Sequence, residues 1–192
     1  MHATTHTNTE SVKVKRDYLT EAEVNTLIAA CKKHGRYGTR NALMILMAYR
    51  HGLRSAELVD LTWDQVCFKY GSLLVCRQKK GRPSTHPLSG DELRALRALK
   101  RESESPYVFA SERGDRMTTA NVRMLFKTLR SQVKIEGPLH AHALRHACGH
   151  KLADAGVDTK RIQDYLGHAN IQNTQRYTEL SANKFKGFDK LI

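Results

Sequence analysis

Between Ala42 and Tyr49 the chain reads Ala-Leu-Met-Ile-Leu-Met-Ala-Tyr, with no polar residue. That run limits the fold more than any other feature. It is far too short to cross the roughly 30 Å of a membrane's hydrocarbon, and a helix that is apolar on every side is stable only when neighbours cover it all round. We expect it in a helix over residues 39–51, with Gly52 closing the helix in a left-handed turn. This helix is the expected centre of the core.

The flanking segments carry the punctuation of elements that could wrap it. Thr20 with Glu23 makes a capping box ahead of Val24, Leu27, Ile28 and Cys31, which share one helical face. Short β-type runs at 66–68 and 73–76 are divided by Tyr70-Gly71 and followed by the breaker Gly81-Arg82-Pro83, which predicts an antiparallel sheet of two or three strands. Ser89 with Glu92 repeats the capping-box spacing before Leu93, Leu96 and Leu99. Thr118 or Thr119 opens a helix that buries Leu125, Phe126, Leu129 and Val133. A helix from about His142 ends at Gly156, Asp158 caps the next and Gly167 stops it, and from Ser181 a tail helix places Phe185, Phe188 and Leu191 on one face. The expected fold is mainly α with a small antiparallel β-sheet. It forms one domain over residues 18–192, including the tail helix 181–192. Residues 1–17, polar and carrying Lys13, Lys15 and Arg16, read as a flexible basic arm.

Charge narrows the partners. Lys and Arg number 32 against 19 Asp and Glu, a formal excess of 32 − 19 = +13. Such an excess attracts polyanions by releasing their counterions, so nucleic acid is the first partner to consider. A membrane span is not expected. The His- and Thr-rich start, Met1 to Thr9, lacks the apolar core of a secretory signal, so a cytoplasmic location is expected. Cys31, Cys67, Cys76 and Cys148 form no CxxC pair and read as reduced, small buried hydrophobes.

Four short segments carry the chemistry: Gly52-Leu53-Arg54-Ser55-Ala56-Glu57-Leu58, His142-Ala143-Leu144-Arg145-His146, Leu166-Gly167-His168 and Thr174-Gln175-Arg176-Tyr177-Thr178. In order, spacing and flanking residues they resemble the tyrosine recombinase (phage integrase) family, from about Tyr18 to the C-terminus. Each segment is weak alone; four in sequence are specific. The resemblance implies that Tyr177 is the nucleophile, attacking a DNA phosphate to form a 3′-phosphotyrosine that keeps the bond energy for resealing. It places Arg54 and Arg145 as planar forks on the phosphate oxygens. Lys79 matches the family's mobile lysine and would protonate the leaving 5′ oxygen, with Lys80 the alternative. His142 and His168 would carry protons or donate hydrogen bonds, and Glu57 would orient Arg54 from behind. Lys80, Arg82, Lys13, Lys15 and Arg16 are the expected further DNA contacts. No cofactor and no metal are implied.

A rival set of histidines lies close by. His142, His146 and His150 are spaced like a metal comb, with His140 just ahead, but Ala143 stands where a zinc protease helix requires glutamate. His146 and His150 are therefore expected to be hydrogen-bonded core or surface histidines. Within the family, Gln78-Lys79-Lys80-Gly81 and Ile162-Gln163-Asp164-Tyr165 look most like the short invertases that switch fimbrial promoters. Most family members carry a separate N-terminal helical domain, and none is expected before Tyr18. The expected function is site-specific recombination of double-stranded DNA, by inversion or by integration and excision of a mobile element. Self-association on DNA, as a synaptic tetramer, and accessory DNA-bending proteins are expected with it. A type IB topoisomerase-like relaxing enzyme and a non-catalytic DNA-binding regulator are the alternatives.

Overall fold

The computed structural model describes residues 16–78 and 81–181. Lys13, Lys15, Lys79, Lys80 and the tail positions Phe185, Phe188 and Leu191 lie outside the described residues. Helix α1 (Glu21–Lys33) starts at the expected capping box: the Thr20 hydroxyl accepts from the Glu23 amide at 3.3 Å, and the Thr20 amide donates to the Glu23 carboxylate at 2.7 Å. Helix α2 (Gly38–Arg50) holds the apolar run, with Met44, Ile45, Met47 and Ala48 at most 1% exposed. Gly52 closes it with a φ of +57°. Burying each of these Met and Ile side chains contributes on the order of 1.5–3 kcal/mol, and the helices over 21–33, 90–101 and 141–154 supply the cover.

Helix α3 (Ser55–Val59) follows the Gly52 turn. A single 3-10 turn leads to β1 (Val66–Cys67), β2 (Ser72–Val75) and β3 (Ser84–Pro87), which pair antiparallel in the order β1-β2-β3. The register sets Leu73 opposite His86 and Val75 opposite Ser84. The strands stop one residue short of Phe68 and of Cys76. Inward and outward positions still alternate past the end of β2, so Val75 and Arg77 are buried while Cys76 is exposed. The expectation of four buried cysteines is corrected accordingly: Cys31 and Cys148 are buried, Cys67 is half-buried, and Cys76 points outward.

Helices α4 (Gly90–Arg101) and α5 (Thr119–Gln132) begin at Ser89 and Thr118, each in a capping box. Helix α5 buries Val122, Phe126 and Leu129, whereas Leu125 and Val133 lie at its margin. Helix α6 (Ala141–Asp154) crosses α2 and separates the main core from a smaller cluster of Cys148, Ala153, Ile162, Leu166 and Tyr177. Helix α7 (Thr159–Leu166) starts at Asp158 and ends at Gly167, whose φ is +65°. Helix α8 (Gln172–Glu179) lies against α6 and α7. Among the described residues no helix is long and apolar enough to cross a membrane.

Candidate active site

Three turns converge on the smaller cluster. The turn between α2 and α3 presents Arg54, whose amide donates to one Glu57 carboxylate oxygen at 3.0 Å while its guanidinium donates to the other at 2.5 Å. The Glu57 side chain is fully buried and also accepts from the Arg77 guanidinium at 2.9 Å and the Gln78 amide at 3.2 Å. Burial alone would raise its pKa, but these donors and the two guanidinium charges outweigh burial and hold it below the usual carboxylate range.

Arg145, on α6, is 1% exposed and donates to the carbonyls of Gly52 at 2.5 Å and Leu166 at 2.7 Å. It thereby joins the Arg54 turn to the α7 terminus. Burial, with the charges of Arg54 and Arg77, lowers its pKa to about 10, so it stays charged at neutral pH. Beyond Gly167, the Nδ1 of His168 meets the Thr174 hydroxyl at 2.8 Å. Burial first, then Arg145, Arg54 and Arg77, push its pKa down to about 3.

Tyr177 on α8 is 1% exposed. Its hydroxyl lies 2.9 Å from His146 Nδ1, and its ring stacks on His168 at 6.2 Å between centroids. The ring also rests on Gly149, where an added Cβ would come within 2.6 Å of its Cε2. A glycine in mid-helix costs about 1 kcal/mol relative to alanine, and here it makes space for the tyrosine. Burial pushes the Tyr177 phenol up to about 12.

The histidine comb forms the berth of this tyrosine. His146 bonds the hydroxyl, and burial lowers its pKa to about 4. His150 is wedged between Tyr18, stacked at 4.0 Å, and the edge of Tyr177, at 5.0 Å. His142 meets His146 edge-on at 4.4 Å; withdrawal of its ring from solvent and the Arg145 charge lower its pKa, although much of the residue is exposed. His140 caps α6, accepting from the Ala143 amide at 3.1 Å. Asp17 approaches His146 and His150 at 3.9 Å each and pairs with Arg176.

Arg54, Glu57, Arg145, His168 and Tyr177 are thus gathered in one place, with His142 at its edge. Arg82 is exposed on the turn before β3 and lines a cleft of about 560 Å³ with Lys160, Gln163 and His168. Arg16 is elsewhere, paired with Glu23 at 2.6 Å. Two features that the sequence reading did not single out prove central, Arg77 and the choice of the Tyr177 hydroxyl as the partner of His146, which was expected only as a hydrogen-bonded histidine. The alternation Leu73, Val75, Arg77 was the available signal for the first, since it turns a charged residue inward. Nothing local marks the second, because its partner comes from α8.

Residues 17–184 match the model of the phage integrase family. The type 1 fimbriae regulatory protein FimE of Escherichia coli (strain K12) is 38% identical over 181 residues, spanning 90% of each chain. Tyrosine recombinase XerD of Ralstonia nicotianae is 36% identical over 176 residues, covering 88% of this chain but 57% of that one. Among solved structures, the Tn1549 transposon integrase in complex with circular intermediate DNA superposes with a TM-score of 0.76, at 19% identity over 91% of this chain and 67% of that one.

Proposed function

The chain belongs to the phage integrase family and is a tyrosine-type site-specific DNA recombinase, and from that premise we propose that Tyr177 cuts and rejoins its DNA strands. One observation carries the assignment. Two guanidiniums, Arg54 and Arg145, are held around the Gly52 turn beside Tyr177, a fully buried tyrosine of the smaller cluster. In the proposed step the Tyr177 hydroxyl gives up its proton to solvent water as its oxygen bonds to phosphorus, the bond from phosphorus to the 5′ oxygen breaks, and that oxygen leaves with a proton from Lys79 or, in its place, Lys80. Arg54 and Arg145 neutralise the charge that grows on the non-bridging oxygens, and the neutral imidazoles of His168 and His142 donate hydrogen bonds to it. Glu57 keeps the Arg54 fork in place. Reversal with a different 5′ hydroxyl reseals the strand with no high-energy cofactor.

Residues 18–192 act as the catalytic unit, and Arg82 and Lys80, with Lys13, Lys15 and Arg16, hold the duplex through phosphate contacts. Four copies assemble on two sites, with accessory DNA-bending proteins, and the protein works in the cytoplasm. The likeness to FimE supports inversion of a segment between two sites, and integration or excision would use the same step. A plasmid with two inverted sites tests this: recombinant product is expected, whereas relaxation of supercoils without exchange would replace the recombinase reading with that of a relaxing enzyme.

A further inference from the structure

Arg77 lies at the base of the β2–β3 hairpin with its side chain fully buried. It donates to the Glu57 carboxylate at 2.9 Å, to the Gly52 carbonyl at 3.4 Å, to the His51 carbonyl at 3.1 Å and to the Tyr165 carbonyl. Two glycines make room for its stem. A Cβ on Gly81 would fall 2.5 Å from the Arg77 Cβ, and one on Gly167 would fall 2.6 Å from the Arg77 Cγ. Part of what Gly167 does in Leu166-Gly167-His168 is therefore to seat Arg77.

A buried guanidinium carries a desolvation cost that an apolar residue at this inward position would avoid. What it gives in return is charge balance. Around the Gly52 turn stand three guanidiniums, Arg54, Arg77 and Arg145, and one buried carboxylate, Glu57. The two terminal nitrogens of Arg77 are taken up by Glu57 and three backbone carbonyls, whereas the Arg54 side chain is 25% exposed. Each Glu57 oxygen has two donors: the Arg54 guanidinium and Gln78 amide on one, the Arg77 guanidinium and Arg54 amide on the other. Arg54 spends one terminal nitrogen there and keeps the rest of its fork.

We propose that Arg77 is a positioning residue whose buried charge offsets Glu57, so that the Arg54 guanidinium stays available to the scissile phosphate. Without that charge, Glu57 would be neutralised by Arg54 alone, and the fork would be drawn inward off the phosphate.

The inference rests on the recombinase reading, and its test separates the two. Wild-type protein is first used to capture its cleavage site covalently from randomised nicked duplexes; failure to capture any would count against the recombinase reading itself. That site is then synthesised with a normal phosphodiester and with an uncharged methylphosphonate at the scissile position. Arg77→Gln should lose about 100-fold in single-turnover cleavage of the phosphodiester, the scale of one lost charge-stabilising donor, and stay within about tenfold of wild type on the methylphosphonate, whose transition state carries one negative charge fewer. Arg77→Lys, which keeps the charge, should recover most of the loss. Glu57→Gln added to Arg77→Gln should regain activity by releasing Arg54, and it provides the folded comparison if the single variant melts. Equal losses on both substrates, a lysine variant as poor as the glutamine one, a double variant with no recovery, or unchanged cleavage in Arg77→Gln would each overturn the proposal.

Discussion

The Tyr177 hydroxyl and the His146 Nδ1 lie 2.9 Å apart, at a tyrosine that is only 1% exposed. A phosphate cannot reach an oxygen enclosed in this way, so Tyr177 must leave its berth before it attacks. The hydrogen bond to a neutral imidazole contributes about 0.5–1.5 kcal/mol to the resting position. His146→Phe keeps the ring and removes the bond, and should speed the first covalent turnover on a single half-site by about 2–10-fold, the ratio that this energy corresponds to. Slower adduct formation would instead make His146 the acceptor of the Tyr177 proton.

Gly149→Ala tests the same berth from below. The added methyl would meet the Tyr177 ring at 2.6 Å, an overpacking cost of about 1–3 kcal/mol that exceeds the roughly 1 kcal/mol alanine returns to a helix. Tyr177 should become reactive to tetranitromethane while far-UV circular dichroism is unchanged. Protection equal to wild type would show that α6 or α8 yields instead.

Arg145→Lys preserves charge but should lose at least about 100-fold in cleavage, the scale of a removed charge-stabilising donor. The guanidinium donates to the Gly52 and Leu166 carbonyls at once, and an ammonium cannot span both and still face a phosphate. Single-turnover rates decide this, and near-normal cleavage would remove Arg145 from the phosphate clamp.

Acid should destabilise the protein before its carboxylates titrate. His86 is 0% exposed, and burial first, then His51 and Arg77, lower its pKa from 6.5 to about 3. A denatured chain therefore takes up a proton below pH 6.5 that the native state refuses, and stability falls as pH drops, by about 1.4 kcal/mol per pH unit for one such histidine. His168 and His146 act in the same direction. Glu92, held down at about 2, withdraws its contribution only below its ordinary 4.5. The Tm should fall between pH 7 and pH 5, with a shallower slope in His86→Gln. A Tm flat across that interval would contradict this.

The parts legible in the sequence were those written in local hydrogen bonds and local periodicity. The capping-box starts at Thr20 and Ser89, the helix start at Thr118 and the glycine stops at Gly52, Gly156 and Gly167 fall where the sequence predicts them, because each is settled within a few residues. The motif residues mark separate turns, and only the packing of α6 shows that Arg145 joins two of them. The buried chain from Ser84 through His86 and His51 to Glu92, at 2.9, 3.3 and 3.0 Å, was missed because its members are distant in sequence and individually ordinary. Likewise α8 has no side-chain cap to announce it, and the burial of Tyr177 depends on a glycine in another helix. Cys76 was misplaced because composition favours burial, whereas its place in the β2 alternation turns it outward.

Covalent capture on Tyr177 tests the assigned chemistry most directly. The protein is incubated with a nicked suicide duplex bearing its captured site, digested, and examined by mass spectrometry for the peptide that carries the nucleotide. The mass should localise to Tyr177 through a 3′-phosphate, with no adduct from Tyr177→Phe although that variant still shifts the duplex in a gel. An adduct on another residue, or one that survives in Tyr177→Phe, would contradict the assignment of Tyr177 as the nucleophile.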